Sequence, residues 1–232
     1  MIMNVLKIGL TNNQLKIIAM ITMLLDHVGV ALFPGVEILR VIGRLSFPIF
    51  AYMIAEGCRY TKNRARYLGT LAGLAIVCQM ANFIATRSLY QCILITFSIS
   101  VTVIFCIDGY IKKKTYPALI LALVSAVAAI FVTVCLPVLL KGRGFEVDYG
   151  VFGTALPVAV YFARGKMQKL ICCVLLLSAL ALVLGTRQWL GLLSLPLIFL
   201  YNGKRGKLNL KYLFYIFYPC HLAAIYLIQM IL

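Results

Sequence analysis

The sequence predicts an all-α polytopic membrane protein, a transmembrane helical bundle of about nine spans forming a single domain over residues 1–232. Of these 232 residues, 63% are hydrophobic and 12% are charged, and the mean hydropathy is +1.02. A water-soluble domain cannot bury so much apolar surface. The apolar runs are long, and they are separated by short basic loops. The expected surroundings are therefore the lipid bilayer, and no separate soluble domain is expected.

The nine segments are the hydrophobic runs between these loops. They cover residues 15–34, 36–57, 66–86, 90–111, 115–139, 149–163, 167–186, 188–201 and 211–231. A helix needs about 20 residues to cross a hydrocarbon core of about 30 Å. The sixth and eighth segments are shorter than that, so we expect them to be half-buried, thinned or broken.

The distribution of charge predicts the topology. The chain has 22 Lys and Arg against 6 Asp and Glu, a net charge of +16. These cations lie in short loops and not on one continuous face, so no nucleic-acid partner is expected. One set of alternate loops, from Lys7 to residues 202–211, holds 16 of them, and the other set holds 4. This bias predicts that the N-terminus is cytoplasmic and the C-terminus external.

Asp26 and His27 lie inside the first segment, where ionisable groups are costly unless they have partners. Adjacent helical residues do not face each other, so Asp26 is expected to contact Arg40 or Arg44 of the second segment. At 1.5 Å per residue, His27, Arg44 and His221 fall at about the same depth. The alternative to a functional site is an Asp26–Arg44 ion pair that only holds two helices together.

His27 and His221 are the two histidines of the chain. An ordinary pKa near 6.5 makes histidine a good proton carrier, although His27 acting only in helix packing is the simpler alternative. His221 follows Pro219, which frees the carbonyl of Tyr215. Among the tyrosines of the last segment, only Tyr218 is expected to belong to the site.

Two further groups have both structural and functional interpretations. Arg59, Arg64 and Arg66 form a basic hairpin that either sets the topology or binds a phosphate-bearing donor. Asp148, before the sixth segment, either caps that helix or meets an amine substrate. The eight cysteines contain no CxxC pair and lie mostly in apolar runs, so neither a metal site nor a disulfide framework is expected.

Four stretches of the chain resemble the TraX family, integral-membrane proteins named for the conjugative-pilus pilin acetylase. They are LKIIAMITMLLDHVG, RVIGRLSFPIFAYMIAEGCRYTKNRARYLGTL, DYGVFG and FYIFYPCHL. TraX proteins in turn look like distant relatives of membrane acyltransferases that use acyl-CoA. The resemblance implies a multi-pass protein of the bacterial inner membrane in which His27 is catalytic and His221 matches the family's C-terminal histidine. Arg44 and the hairpin then look like donor-binding or structural cations.

The leading hypothesis is an acetyltransferase that uses acetyl-CoA from the cytoplasm as donor substrate. The acceptor is an amine or hydroxyl at the cell envelope, on a protein N-terminus or a glycan, and the sequence does not identify it. His27 acts as general base or carries the acetyl group, with Asp26 and His221 as its catalytic partners. Donor or acceptor contacts are expected from Arg40, Arg44, Arg59, Arg64, Arg66, Tyr218 and Asp148. The alternatives are a small proton-coupled transporter or permease and a non-catalytic assembly factor.

Overall fold

The computed structural model describes residues 9–207 and 210–231, except for the side chains of residues 211 and 212. Within these residues the chain is helical, and its pairing of extended backbone is limited to two isolated bridges. The predicted all-α polytopic membrane fold is therefore confirmed. Lys7, which contributed to the topology prediction, and Leu232 lie outside the described residues.

Eleven α-helices are labelled here in chain order, with three short segments of other helical types between them. The α-helices are α1 (Asn12–Ala31), α2 (Glu37–Gly43), α3 (Ser46–Tyr60), α4 (Arg64–Thr86), α5 (Ile93–Lys113), α6 (Tyr116–Ile130), α7 (Leu136–Leu139), α8 (Gly150–Phe162), α9 (Lys166–Leu184), α10 (Leu195–Phe199) and α11 (Lys211–Ile231). A π-helical turn, Phe131–Cys135, joins α6 to α7, and 3₁₀ turns cover Lys141–Arg143 and Thr186–Ser194.

Seven helical stretches of the described chain are long and apolar enough to cross a membrane. They are α1, α2 with α3, α4, α5, α6 through α7, α9 and α11. The sixth predicted span is the 13-residue helix α8, and the eighth is a 3₁₀ turn followed by the five-residue helix α10. The prediction that these two segments are short is confirmed, and their crossing of the bilayer and the orientation of the chain stay predictions.

The chain divides into two compact units, and the boundaries fall within α3 and α9. The first unit runs to Met53 and resumes at Cys173, and the second is Ile54–Cys172. In the first unit α1 packs against α2 and α11. The start of α1 is fixed by a capping box between Thr11 and Gln14, and the carbonyls of Lys204 and Arg205 accept hydrogen bonds from the N–H groups of Asn12 and Asn13.

The second predicted span is interrupted between α2 and α3. Arg44 caps the end of α2, Leu45 lies in the turn, and α3 begins at Ser46. Pro48 has no N–H to offer the carbonyl of Arg44, so the helical bonding fails there. Glu37, at the start of α2, forms an exposed ion pair with Arg187 at 3.4 Å.

The second unit is organised around α5, which contacts α4, α6 and α8. Hydroxyls contribute to this packing, since the Ser100 hydroxyl donates to the Thr154 carbonyl at 2.9 Å. The unit also contains a buried ion pair, Glu56 with Lys169 at 2.5 Å. Glu56 is 3% exposed. A buried pair of this kind holds α3 and the start of α9 in a fixed register, because separating it strands a charge.

Candidate functional site

Asp26 of α1 contacts both arginines of the α2 region. Its Oδ2 atom accepts hydrogen bonds from Arg44 at 2.5 Å and from Arg40 at 3.1 Å. The side chains of Asp26 and Arg44 are 12% and 11% exposed. The predicted contact across the first two helices is confirmed for both arginines. One carboxylate between two guanidinium groups leaves this cluster with one net positive charge.

Gly43 makes the close approach of Asp26 possible. A Cβ atom at this position would overlap the Asp26 carboxylate and its Cβ. A second glycine, Gly29 on α1, has the Leu39 Cβ only 2.8 Å from where its own Cβ would lie. Because these two glycines have no side chain, α1 and α2 approach each other closely at the level of the ion pairs. Arg44 reaches Asp26 from the residue after Gly43.

His27 and His221 form the second half of the site. Nδ1 of His27 lies 2.7 Å from Nε2 of His221, and the two rings are nearly parallel, at 7°. The other nitrogen of His221, Nδ1, lies 2.8 Å from the carbonyl oxygen of Phe217. α11 thus brings one histidine to the other from 194 residues further along the chain.

The Phe217 carbonyl determines where the protons of this pair lie. A carbonyl oxygen only accepts, so Nδ1 of His221 carries the hydrogen and donates it. In a neutral ring Nε2 of His221 then has the lone pair, and it accepts a hydrogen bond from Nδ1 of His27. The neutral His27 consequently presents an unprotonated Nε2. This arrangement is that of a base whose second nitrogen is held by an orienting partner.

Aromatic side chains hold His221 in position. The Phe217 ring stacks on it with centroids 4.8 Å apart, and the Tyr218 ring lies edge-on at 5.5 Å. His221 and Tyr218 are 6% and 8% exposed. The predicted site residue Tyr218 is therefore at the histidine pair, where it packs on His221. Its predicted contact with a substrate stays a prediction.

Four predicted donor or substrate residues belong to the second unit. The Arg59 guanidinium donates to the Tyr161 carbonyl at 2.5 Å, and Arg64 forms an ion pair with Asp108. Arg66 has an exposed side chain. The fold therefore uses two of the three hairpin arginines in internal contacts. Their binding of a donor stays a prediction.

Asp148, the fourth of these residues, accepts a hydrogen bond from the Tyr90 hydroxyl at 2.6 Å. Burial and the nearby Asp148 charge raise the pKa of Tyr90, so the phenol keeps its proton and remains a donor. The N-cap of α8 is Tyr149, so the alternative that placed Asp148 at the cap is wrong. Contact of Asp148 with an amine substrate stays a prediction.

Sequence reasoning assigned two residues that the structure marks out to no site, although it counted Lys16 among the basic residues that predict the topology. Glu56 interrupts the apolar run FAYMIAEGC, which is the signal that could have identified its buried ion pair. Lys16 lies on α1, eleven residues before His27, with its Nζ 5.0 Å from the centre of the Phe214 ring. Residues 1–25 and 173–232 contain no Asp or Glu. The charge of Arg205 acts on Lys16, and the carbonyls of Lys204 and Arg205 accept hydrogen bonds at the start of α1. Lys16, Lys204 and Arg205 are called here the α1-start cations.

The chain is similar to a protein family and to individual known proteins. The model of the family described as TraX protein matches residues 11–229. A protein of Dichelobacter nodosus named "Probable fimbrial assembly protein FimC, serogroup H1" is 28% identical over 236 residues, covering 91% of this chain and 93% of its own length. "Uncharacterized protein RP591" of Rickettsia prowazekii (strain Madrid E) is 33% identical over 104 residues, 41% of this chain and 42% of its own length. No solved structure matches the chain.

Proposed function

Because the chain belongs to the TraX family, we propose that it is a membrane-embedded acetyltransferase, moving an acetyl group from acetyl-CoA to an amine or hydroxyl acceptor. The observation that carries the proposal is the 2.7 Å hydrogen bond between His27 and His221. It supplies an oriented imidazole inside a membrane protein, where ionisable groups are expensive and mark functional sites.

His27 is the general base of the proposed reaction. Its Nε2 takes the proton of the acceptor N–H or O–H as the acceptor attacks the thioester carbonyl, and a tetrahedral oxyanion forms. Collapse of the intermediate breaks the carbon–sulfur bond, and the departing thiolate of CoA receives the proton from His27. His221 is a positioning residue, since it accepts the hydrogen bond from Nδ1 of His27 and stabilises the imidazolium that forms. Transient transfer of the acetyl group to Nε2 is the alternative use of the same lone pair.

The cluster of Asp26 with its two arginines supplies positive charge, and Asp26 is the residue that precedes the base in the sequence. Its two guanidinium groups outnumber its one carboxylate. Positive groups fixed beforehand in a dry site stabilise a developing oxyanion strongly, because no reorganisation is needed at the moment of reaction. Arg40, at 26% side-chain exposure, is more accessible than Arg44 at 11%. Arg40 is therefore the arginine we assign to the oxyanion, and Arg44 is the one that fixes Asp26.

The α1-start cations are the proposed contacts for the donor's phosphates. Closely spaced cations suit phosphate groups. Lys16 is on the same helix as His27, roughly 16 Å along its axis, so a donor held there by its phosphates extends along α1 toward the base. The basic hairpin is the other candidate, in which Arg59 contacts the Tyr161 carbonyl and Arg64 contacts Asp108.

The acceptor is proposed to be a component of the cell envelope. The Dichelobacter relative is named for fimbrial assembly, and its match covers nearly the whole of both chains. That name supports an acceptor among proteins of a surface appendage, with the free amine of a protein N-terminus as the chemical group. A hydroxyl on a glycan would use the same base in the same way.

The test is acetyl transfer from radiolabelled acetyl-CoA by the purified full chain in lipid nanodiscs. We expect slow hydrolysis of acetyl-CoA without acceptor and transfer when a peptide amine or a sugar is added. His27→Ala should lose both reactions and keep CoA binding. Binding without any turnover by the parent protein, with every acceptor class tried, would contradict the proposal.

A proton-coupled permease is the second candidate, because two hydrogen-bonded imidazoles can also relay a proton. The same nanodisc preparation distinguishes the two functions. A permease would move protons across a liposome membrane and leave acetyl-CoA intact, whereas the proposed enzyme would consume acetyl-CoA without a proton gradient.

A further inference from the structure

We propose that the second unit binds one acyl chain of an anionic phospholipid in a groove between α4, α5 and α6. The groove has a volume of about 440 Å³ and is lined by residues from these three helices and the start of the π-helical turn. Both α4 and α6 pack against α5, so α5 forms the floor of the groove. This inference concerns a different unit from the histidine pair and does not depend on the proposed enzymatic activity.

The chemistry of the lining selects an apolar occupant. Three hydroxyl residues face the groove, Ser98, Thr102 and Ser125, and each hydroxyl donates to a carbonyl of its own helix. Their donors are therefore used, and the remaining lining is aliphatic. A polar ligand would leave its own groups without partners against such a wall, which is costly in a membrane interior.

The length of the groove fits a lipid chain. On α4 it begins at Leu68, one turn after Arg64, and on α5 it reaches Ile95, close to the opposite end of that helix. The contacts of Arg64 with Asp108 and of Tyr67 with Phe105 set the register of the two helices. They place Leu68 level with Val103, which is eight residues from Ile95. Helical rise then gives the groove a length of about 12 Å, most of the thickness of one leaflet of the hydrocarbon core, about 15 Å. The greater part of one extended acyl chain lying along the helices occupies such a groove.

Charge at one end selects the headgroup. Arg64 and Lys112 share a single carboxylate, Asp108, at the end where α4 begins and α5 ends. Lys113 and Arg66 are exposed at the same end. Leu68 lies four residues after Arg64, so the two side chains are on the same face of α4. The groove thus ends in a cationic cluster with a net positive charge, which complements the phosphate of an anionic lipid.

The experiment is native mass spectrometry of the full-length protein released from nanodiscs with equal phosphatidylglycerol and phosphatidylethanolamine of identical chains. The parent should retain a phosphatidylglycerol molecule in preference to phosphatidylethanolamine. Ala128→Phe fills the groove, and Val127→Phe adds the same ring at the next residue, outside the lining. We expect Ala128→Phe to retain roughly tenfold less lipid, equivalent to about 1.4 kcal/mol, and Val127→Phe to match the parent. Ser98→Leu, which fills the floor of the groove, is the variant to use if Ala128→Phe does not fold.

A charge variant tests the headgroup. Replacing Lys112 and Lys113 by Gln should remove the preference for phosphatidylglycerol, as high salt should, whereas Lys141→Gln should preserve it. Equal retention by Ala128→Phe and Val127→Phe would overturn the proposal. So would a bound free fatty acid in place of a phospholipid, or a dimer that Ala128→Phe converts to a monomer without loss of lipid, because the groove would then be an interface between copies.

Discussion

His27 and His221 are joined by a hydrogen bond of 2.7 Å between Nδ1 of the first ring and Nε2 of the second. Its direction follows from a third group, the Phe217 carbonyl, which lies 2.8 Å from the remaining nitrogen of His221. The two rings are therefore not equivalent. His27 keeps a lone pair available for chemistry, and both nitrogens of His221 are engaged.

Replacement of the two histidines should separate these roles. His27→Ala is expected to lower acetyl transfer by roughly 10²-fold or more, because the proton acceptor is lost. His221→Ala is expected to lower the rate by less, because His27 keeps its Nε2 but loses its orientation. Single-turnover transfer, with CoA binding measured on the same samples, provides the test. His27→Ala turning over at the parent rate would refute the mechanism.

The ion pairs of Asp26 should make a strongly non-additive contribution to stability. Asp26→Asn should cost about 3–5 kcal/mol, because it leaves two guanidinium groups without their carboxylate in a mostly buried place. Arg44→Gln should cost less, because Asp26 keeps its ion pair with Arg40. The double variant leaves only the more exposed Arg40 without a carboxylate and should cost less than the sum of the single losses. Thermal unfolding in detergent measures all three variants. Additive losses would show that the contact does not couple the two residues.

Gly43→Ala should disturb the same cluster by steric means. The new methyl group would overlap the Asp26 carboxylate, and overpacking of this kind costs about 1–3 kcal/mol. Gly73→Ala on α4 is the matched control, because no atom lies within 4 Å of its added Cβ and alanine is the better helix former. Equal stability of the two variants would show that α1 and α2 do not need this close approach.

The donor site can be located by charge removal. Lys204→Gln with Arg205→Gln should weaken CoA binding by roughly tenfold, each surface charge contributing up to about 1 kcal/mol. High salt should weaken binding by the parent protein in the same manner. The hairpin variant Arg59→Gln, Arg64→Gln, Arg66→Gln is the comparison. Loss of CoA binding in the hairpin variant alone would show that the donor binds at the basic hairpin, as the sequence predicted.

The topology is tested by labelling single cysteines introduced into a background without the eight native ones. Cysteines replacing Lys113 and Leu232 should label from opposite faces of the membrane, with Lys113 cytoplasmic, because the basic loops are expected inside. Labelling of both from one side would contradict either the odd number of crossings or the orientation.

The sequence predicted the histidine site well because its residues are anomalies in an apolar background. A charge or an imidazole within a span needs a partner, and depth alone placed Asp26, Arg44, His27 and His221 in one layer. The contacts among them in the structure follow that prediction. The pairing of Asp26 with an arginine of the second segment also followed, since neighbours on a helix do not face each other.

Other features were beyond sequence reasoning. Arg59 and Arg64 looked available as cations, and only the three-dimensional packing shows their partners, the Tyr161 carbonyl and Asp108. Nothing in the sequence pattern distinguishes an arginine that binds a ligand from one that binds a carbonyl some 100 residues away. The Phe217 carbonyl has no sequence signature either, since every residue has a carbonyl, and its role depends on the rotamer of His221.

The contacts of the site have a consequence for biosynthesis. The arginines that contact Asp26 lie only 14 and 18 residues after it in the sequence, whereas the partner of His27 lies 194 residues after it. At about 5–20 residues per second, the ribosome needs roughly 10–40 seconds to make that interval. A nascent chain can therefore neutralise its buried carboxylate soon after the second helix leaves the ribosome. The histidine pair forms only when the final helix is inserted, so a product truncated before α11 enters the membrane with its carboxylate paired and with His27 lacking its orienting partner.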